Sequence, residues 1–516
     1  MNKPTRNIII TFFLMLLLTG SGVAQIGKPN VMNQKISIVA ENESLAEVIE
    51  QICDYLNLNY SYNSKLLEGK QVSMSVSNIP LKQVLEKLMK DHFLIFEIEN
   101  NILVVRNYTP MKDHTLYDEN GNFIAPNMGF RFTNKKKKAI TLKFKTASNL
   151  IIIPVRVNSS DTLNFILDTG VRYPIVTELP YVKKLNLNYL RPMEVMGLGG
   201  KLPLTAYRSG GNIIELDGLT AKNQDVQMII NEDFQVSQIL GIPVHGLIGF
   251  NIFRDFIVRV DYMNNKITFY DPDRYKYRKT KRDIVYPLHF EGTKPYIYTT
   301  IVQDDLSKVR VKLLVDTGAS DALWLATESS DKLKLPAKNI NSFLGKGLSG
   351  ELHGKKGRIA GIDIGSTVLF EPIVSYPDTF FTAGISFDKD RNGTLGAEIL
   401  RRFSVIIDYT NKKITFRKNY KTKERFNYNM SGMEVYNPMP GFPIFTVNQV
   451  REGSPAYNAG IRVKDQILSV NGSSHKDLTL NDINMTMMLR ENKRIRIVVL
   501  RGGEKVKTEF RLKKEL

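Results

Sequence analysis

Two apolar runs in this chain end on the same tripeptide. "FILDTGVRYPIV" (165–176) and "LLVDTGASDALW" (313–324) each lead three apolar or aromatic residues into Asp-Thr-Gly, the pattern of a core strand that stops at a carboxylate and a tight turn. Before each run lie another strand and a polar turn, in "LIIIPVRVNSSDTLNFILDTG" and "PYIYTTIVQDDLSKVRVKLLVDTG". Farther on, "GLIGFNIFRDFIVRVDYMNNKITFY" (246–270) matches "GTLGAEILRRFSVIIDYTNKKITFR" (393–417) nearly position for position. Gly249 follows Asp168 by 81 positions, and Gly396 follows Asp316 by 80. The patterning predicts two all-β lobes on one duplicated plan, over 146–272 and 283–418.

Outside the lobes the period changes. In 33–107, Leu45, Val48, Ile49, Ile52 and Leu56 share one helical face, and Ser44 with Glu47 reads as a capping box. "QVSMSVSN" (71–78) alternates as a strand, Pro80 opens a second helix through Leu81, Val84, Leu85 and Leu88, and "FEIENNILVV" reads as a hairpin turning at Asn100-Asn101. That is a small α+β domain. Residues 108–145, polar and carrying the Lys135–Lys138 run, read as a linker. A last module is expected over 429–514, so the chain is multidomain.

The first residues change the picture again. Lys3 and Arg6, the apolar stretch Ile8–Leu18 and Gly22-Val23-Ala24 form the pattern of a secretory signal peptide over 1–24. The apolar stretch is too short for the roughly 20 residues of a membrane span, and no later stretch is apolar enough. The expectation is an exported protein, in the periplasm of a Gram-negative bacterium, with no integral membrane segment after signal removal. Cys53 is the only cysteine, sits among core positions and allows no internal disulfide. The chain has 516 residues, 42% hydrophobic and 24% charged, and a net charge of +19. Much of the excess lies in Lys135–Lys138, "RYKYRKTKR" (274–282) and "RKNYKTKER" (417–425), read as solvated linkers rather than nucleic-acid contacts. The six histidines are scattered without ligand spacing, so neither metal nor cofactor is expected.

An Asp in a strand-end turn is ordinarily a turn residue. Duplication alters that, because two such turns related by a twofold axis bring two carboxylates together, where they share one proton; aspartic proteases are the standard case of this behaviour. Gly170 and Gly318 let backbone approach the carboxylates, and Thr169 and Thr317 can hydrogen-bond across the axis. With these motifs and the Leu247-Ile248-Gly249 and Leu395-Gly396 segments, residues 146–418 resemble the aspartic proteases of the pepsin and retropepsin clan. The resemblance implies a two-lobed all-β fold and an endopeptidase in which Asp168 and Asp316 activate a water. Gly197-Leu198-Gly199-Gly200 and Gly347-Leu348-Ser349-Gly350 then stand either for substrate-binding flap tips or for ordinary hairpin turns. Val171 and Ala319 replace the hydroxyl residues usual in pepsins, from which a less acidic pH optimum is expected. Trp324, eight residues past Asp316, stands either at the cleft, where it would sense a bound peptide, or, as the preferred expectation, in the core of the second lobe.

Two further resemblances frame the lobes. "VSMSVSNIPLKQVLEKLMKDHFLIFEIENNILVV" resembles the short N-terminal domain of secretins and TonB-dependent receptors, which implies an envelope protein partner for 33–107 and no chemistry. "VNQVREGSPAYNAGIRVKDQILSVNG" (447–472) resembles the PDZ domain, which binds peptide C-termini along a sheet edge. That family's groove implies Ser431, Gly432, Met433, Glu434 and Val435 as carboxylate loop and edge strand, and Ile483 and Met487 as the facing helix wall. The basic stretch 417–425 is read as a tether between cleavage site and PDZ domain. The expected function is an exported aspartic endopeptidase acting on peptide or protein substrates whose C-termini the PDZ domain recruits. The alternative is a catalytically silent peptide-binding scaffold.

Overall fold

The computed structural model describes residues 31–62, 67–90, 92, 94–99, 102–107, 128–177, 185–187, 191–195, 204–229, 236–347, 350–378 and 390–516. Residues 1–24, expected to form a signal peptide, lie outside them. The chain divides into two compact units, 1–114 and 115–516. Among the described residues no helix is long and apolar enough to cross a membrane.

In the first unit, strands Lys35–Ser44 and Gln71–Pro80 pair antiparallel. Asn59–Tyr62 runs parallel to Ile102–Asn107, which pairs antiparallel with Leu94–Glu99. Helices Leu45–Leu56 and Leu81–Lys90 bury their apolar stripes in one core. Ser44 stands at the helix start in extended conformation, yet its side chain makes no capping bond, so the capping box predicted there is not formed. Burial, with Asp54 and Glu50 nearby, pushes the Cys53 thiol up to about 12, which keeps it protonated and inert. The turn at 100–101 is outside the described residues.

The second unit contains the duplication, strand for strand. In the first lobe, Leu150–Val157 pairs antiparallel with the motif strand Leu163–Leu167, which runs parallel to Gly246–Ile248. Gly246–Ile248 pairs antiparallel with Ile175–Val176, itself parallel to Leu219–Ile229. In the second lobe the same order joins Lys294–Val302, Lys308–Val315, Gly393–Leu395, Leu323–Leu325 and Ile373–Pro377, with the same directions. Each motif strand is flanked on both edges and buried on both faces, which explains its unbroken apolar run.

Below the motif strands the lobes share one six-stranded sheet. Ile257–Asp261 of the first lobe pairs with Phe403–Asp408 of the second, placing Val258 opposite Ile407 and Val260 opposite Val405. Alternation sends Val258, Val260, Ile267, Phe269, Val405, Ile407, Ile414 and Phe416 into the core, and sends Lys143, Arg259, Lys266 and Arg417 to the other face.

Two predicted linkers are parts of the body. Within 108–145, Met128–Phe132 pairs with Leu219–Ile229, and Ala139–Lys143 is the edge strand of the shared sheet. The lysine run between them hides the alternation on either side. The stretch 417–425 is no tether: Lys413–Lys418 is a strand, and a short 3-10 turn covers Tyr420–Lys423. Fully buried Arg402 holds this crossing in place. Its guanidinium donates to the carbonyls of Lys421 (3.2 Å) and Glu424, pairs with Glu398 at 2.8 Å and lies 3.5 Å from the centre of the Phe426 ring.

The C-terminal module is a sheet ordered Met433–Tyr436, Phe445–Val450, Gln466–Val470, Arg494–Arg501, Glu504–Arg511, with helix Leu480–Met487 started by a Thr479–Asp482 capping box. It is docked on both lobes. Asn437 N donates to Gln238 O of the first lobe at 2.8 Å, and Arg358 Nη1 of the second donates at 3.3 Å to the carbonyl of Phe426, in the segment that leads into the module. Leu480 lies so close to Gly241 that a methyl group there would collide with it. One apolar core therefore runs from Phe130 through both lobes into the module.

Replacing Arg402 by Met should cost about 3 kcal/mol, because the carbonyls of Lys421 and Glu424 lose their donor and Glu398 keeps only one of its two arginine partners, Arg401. Denaturant unfolding of the full chain reads this directly; a loss below about 1 kcal/mol would mean the crossing is held by its apolar contacts alone.

Candidate active site

Each Asp-Thr-Gly is held from beneath by the neighbouring strand. Asp168 N donates to Ile248 O at 2.8 Å, and Asp316 N donates to Leu395 O at 3.0 Å. The glycines that follow those strands leave room for the loops: a methyl group on Gly249 would strike the Asp168 carbonyl, and one on Gly396 the Asp321 carbonyl. The threonines then lock the two loops together. Thr169 N donates to Thr317 Oγ1 and Thr317 N to Thr169 Oγ1, both at 3.1 Å. Thr169 Oγ1 donates to Val315 O (2.6 Å) and Thr317 Oγ1 to Leu167 O (2.7 Å), so each hydroxyl ties its loop to the other lobe's motif strand.

This lock brings the carboxyl groups side by side. Gly170 N donates to Asp168 Oδ1 at 2.7 Å and Gly318 N to Asp316 Oδ1 at 2.8 Å. A methyl group on Gly318 would overlap the Asp168 carboxyl, and one on Gly170 would touch Asp168 and Asp316 together. At Gly318 the overlap leaves room for glycine alone.

The two carboxyls are not equivalent. Burial, then the neighbouring Asp316 charge, pushes Asp168 well above the usual carboxylate range, opposed by the Gly170 N–H. Burial raises Asp316 too, but the Gly318 N–H, the Arg391 guanidinium, the hydrogen bond from Asp168 and the Ala319 N–H all favour its ionised form. Burial raises both carboxyls and each charge opposes the other, so one proton shared between Asp168 and Asp316 is favoured over two charges. Sequence reasoning missed Arg391, which lies seventy-five positions after Asp316 in no recognisable motif. It also missed Tyr409, buried in a stack with Phe253 and Phe290, whose hydroxyl is raised by burial and by both Asp charges. Val171 packs on a small apolar cluster with Ile175 and Ala206, and its carbonyl accepts from Phe250 N at 3.0 Å. Neither it nor Ala319 supplies a side-chain donor; at Ala319 the backbone N–H does.

The dyad opens into a cleft of about 1800 Å³. One wall is the second-lobe hairpin, strands Asn339–Gly347 and Gly350–Arg358, which contributes Phe343, Leu344, Gly347 and Lys356. Gly347 faces Gly350 across the hairpin end. Leu348 and Ser349 lie outside the described residues, as do Gly197, Leu198, Gly199 and Gly200. Trp324 is not a core residue: half-buried on the cleft wall, it donates Nε1 to Asp321 Oδ2 at 2.9 Å.

The same cleft continues to the C-terminal module. Gly432, Glu434 and Val435 line it, together with Asn484, Met485 and Met488 of the facing helix. Strand Met433–Tyr436 pairs only with Phe445–Val450, so among the described residues its other edge has no partner strand. Ser431 is buried, its hydroxyl donating to Asn429 Oδ1 (2.6 Å) and accepting from Met433 N (3.2 Å), while Gly432 takes a left-handed conformation (φ 76°) against Ser454. Ile483 and Met487, expected on the groove wall, are buried in the core instead, as is Met433. The helix presents its polar and methionine face to the cleft. Between module and dyad stands Lys356, 3.7 Å from Asp321 and close enough to Glu434 to offset the burial that raises that carboxyl.

Among the described residues, no three His, Cys, Asp or Glu side chains gather in a way that would hold a metal ion. Comparison with known families detects a PDZ domain at residues 446–501, and no protease, secretin or TonB family. No curated protein matches the chain. The C-terminal module thus carries a PDZ domain, which implies peptide or protein partners.

A carboxyl whose pKa is raised by folding takes up a proton as the chain folds. Its stabilising contribution is complete below the ordinary carboxyl pKa, near 4, and is lost as pH rises through the raised value. Asp168→Asn keeps a neutral side chain at every pH, and one pKa unit is worth about 1.4 kcal/mol. The variant should therefore gain about 2 °C or more in Tm at neutral pH and nothing below pH 4. A Tm at neutral pH equal to or below that of the wild type would show that folding does not raise the Asp168 carboxyl.

Proposed function

We propose that this protein is an exported aspartic endopeptidase that cuts polypeptides held between its lobes and its PDZ domain. The observation that carries the reading is the pair of buried carboxyls, locked by reciprocal threonine hydrogen bonds at the base of a cleft that continues to an open edge strand of the C-terminal module. It is further supported by the duplicated motifs and by the strand-for-strand likeness of the two lobes.

In this reading Asp316 accepts a proton from a water lying between the carboxyls, and the oxygen attacks the scissile carbonyl carbon. Asp168 gives its proton to the carbonyl oxygen, so a neutral tetrahedral diol forms without net charge in the buried site. On collapse, the proton now on Asp316 passes to the departing amine, the C–N bond breaks, and a diol hydroxyl returns its proton to Asp168. Both carboxyls end as they began. Thr169 and Thr317 hold the spacing of the pair, Gly170 and Gly318 orient one oxygen of each carboxyl, and Arg391 keeps Asp316 the ionised member. A substrate chain added to the Met433–Tyr436 edge, its terminus near Gly432, would run along the cleft past Lys356 towards the dyad. The docked module makes this a fixed channel rather than a flexible tether, so cleavage at set distances from a free C-terminus is expected. Residues 33–107 supply a separate surface for an envelope partner.

The test uses an unfolded protein substrate and reads cleavage by mass spectrometry. Asp168→Asn and Asp316→Asn should each reduce kcat/KM by about 10³-fold, the scale of lost acid–base catalysis. Amidating the substrate C-terminus should raise KM and leave kcat little changed. If either variant folds normally and cleaves like the wild type, the dyad has no catalytic role and the peptide-binding scaffold is the better reading.

A further inference from the structure

On the outer face of the shared six-stranded sheet, away from the apolar core, lies a second cavity of about 390 Å³. Its floor is Arg259 and Arg417, both half-buried. Arg274, Lys276 and Arg278 come from the segment that follows strand Lys266–Tyr270, and Lys138 comes from the turn before Ala139–Lys143. No carboxylate lines it.

The segment 271–283 is fixed over the sheet rather than loose. Tyr275 packs on Tyr270 with ring centres 4.8 Å apart, and Tyr277 donates its hydroxyl to Asp283 Oδ2 at 2.9 Å while lying 5.3 Å from Lys413 Nζ. Of the acids in this segment, Asp271 pairs with Arg274 at 2.9 Å and Asp283 with Arg417 at 2.7 Å, and Asp273 does not line the cavity. Arg259 gives only its Nε, to Ser404 Oγ at 3.1 Å. No ion pair among the described residues includes Lys138, Arg259, Lys276 or Arg278. Six cations around one concavity, four of them without a carboxylate, repel one another unless an anion enters.

We infer that this pocket binds a phosphate group. A concave site suits a compact polyanion better than a flat protein surface, and guanidinium groups offer paired donors matched to phosphate oxygens. The group can belong to a small soluble phosphate compound or to an anionic phospholipid headgroup. The site does not depend on the dyad. It gives a role to the basic run "RYKYRKTKR", which neither the lobes' core nor the cleft uses.

Two probes separate the sources: inorganic pyrophosphate by titration calorimetry, and phosphatidylcholine vesicles with or without phosphatidylglycerol by co-sedimentation. Both use the full chain at low salt, where charge pairing is least screened. Lys276→Gln with Arg278→Gln removes two exposed cations of the pocket. Lys505→Gln with Lys507→Gln removes two exposed cations from the C-terminal hairpin and serves as the charge-matched control. The wild type should bind at least one probe. The pocket variant should weaken that binding tenfold or more, and the control less than twofold. Saturable pyrophosphate binding identifies a soluble ligand, and binding only to vesicles with phosphatidylglycerol identifies a headgroup. Absence of binding to either probe, no loss in the pocket variant, or equal loss in both variants overturns the inference.

Discussion

The structure depends on two buried carboxyls being forced together. At a separation near 4 Å, two full negative charges would repel by about 4 kcal/mol even at an effective dielectric constant of 20. One proton between them removes that cost, and the rest of the unit is arranged to hold the pair where it must be shared. Four hydrogen bonds made by Thr169 and Thr317 cross from one lobe to the other, each worth about 1 kcal/mol net. Gly249 and Gly396 let the supporting strands lie directly under the loops. The six-stranded sheet below fixes the lobes relative to each other through Ile257–Asp261 and Phe403–Asp408, so the site sits where two copies of one plan meet.

A second constraint joins the C-terminal module to this site. Arg402 anchors the crossing from the second lobe, Gly241 admits Leu480 from the C-terminal module, and a single apolar core passes between them. The edge strand Met433–Tyr436 of the module and the dyad therefore lie on one cleft in a fixed relation. Lys356 lines this cleft, 3.7 Å from Asp321 and near enough to Glu434 to oppose the burial that raises that carboxyl.

Much of this arrangement was legible in the sequence, for identifiable reasons. Apolar runs ending at Asp168 and Asp316 mark strands buried on both faces, and the repeated "DYMNNKITF" and "DYTNKKITF" mark the matching hairpins. Helix periodicity located Leu45–Leu56 and Leu81–Lys90. What escaped depends on tertiary placement. Met128–Phe132 and Ala139–Lys143 are too short to stand out beside four consecutive lysines, and only their partner strands define them. Ile483 and Met487 carry the apolar period expected of a groove wall, but that period belongs to the face turned into the core. Arg391 and Tyr409 reach the dyad through the fold and have no local pattern. The basic run at 417–425 reads as solvated because nothing in it predicts that the buried guanidinium of Arg402 will bind its carbonyls.

The shared proton is the claim on which the account stands, and infrared spectroscopy reads it most directly. With aspartate side chains labelled by carbon-13, the difference spectrum of wild type minus Asp168→Asn at neutral pH isolates the carboxyl in question. The account predicts a protonated carboxyl band in the wild type that is absent from the variant. A difference spectrum containing only ionised carboxylate bands would contradict it, since both aspartates would then be charged at once.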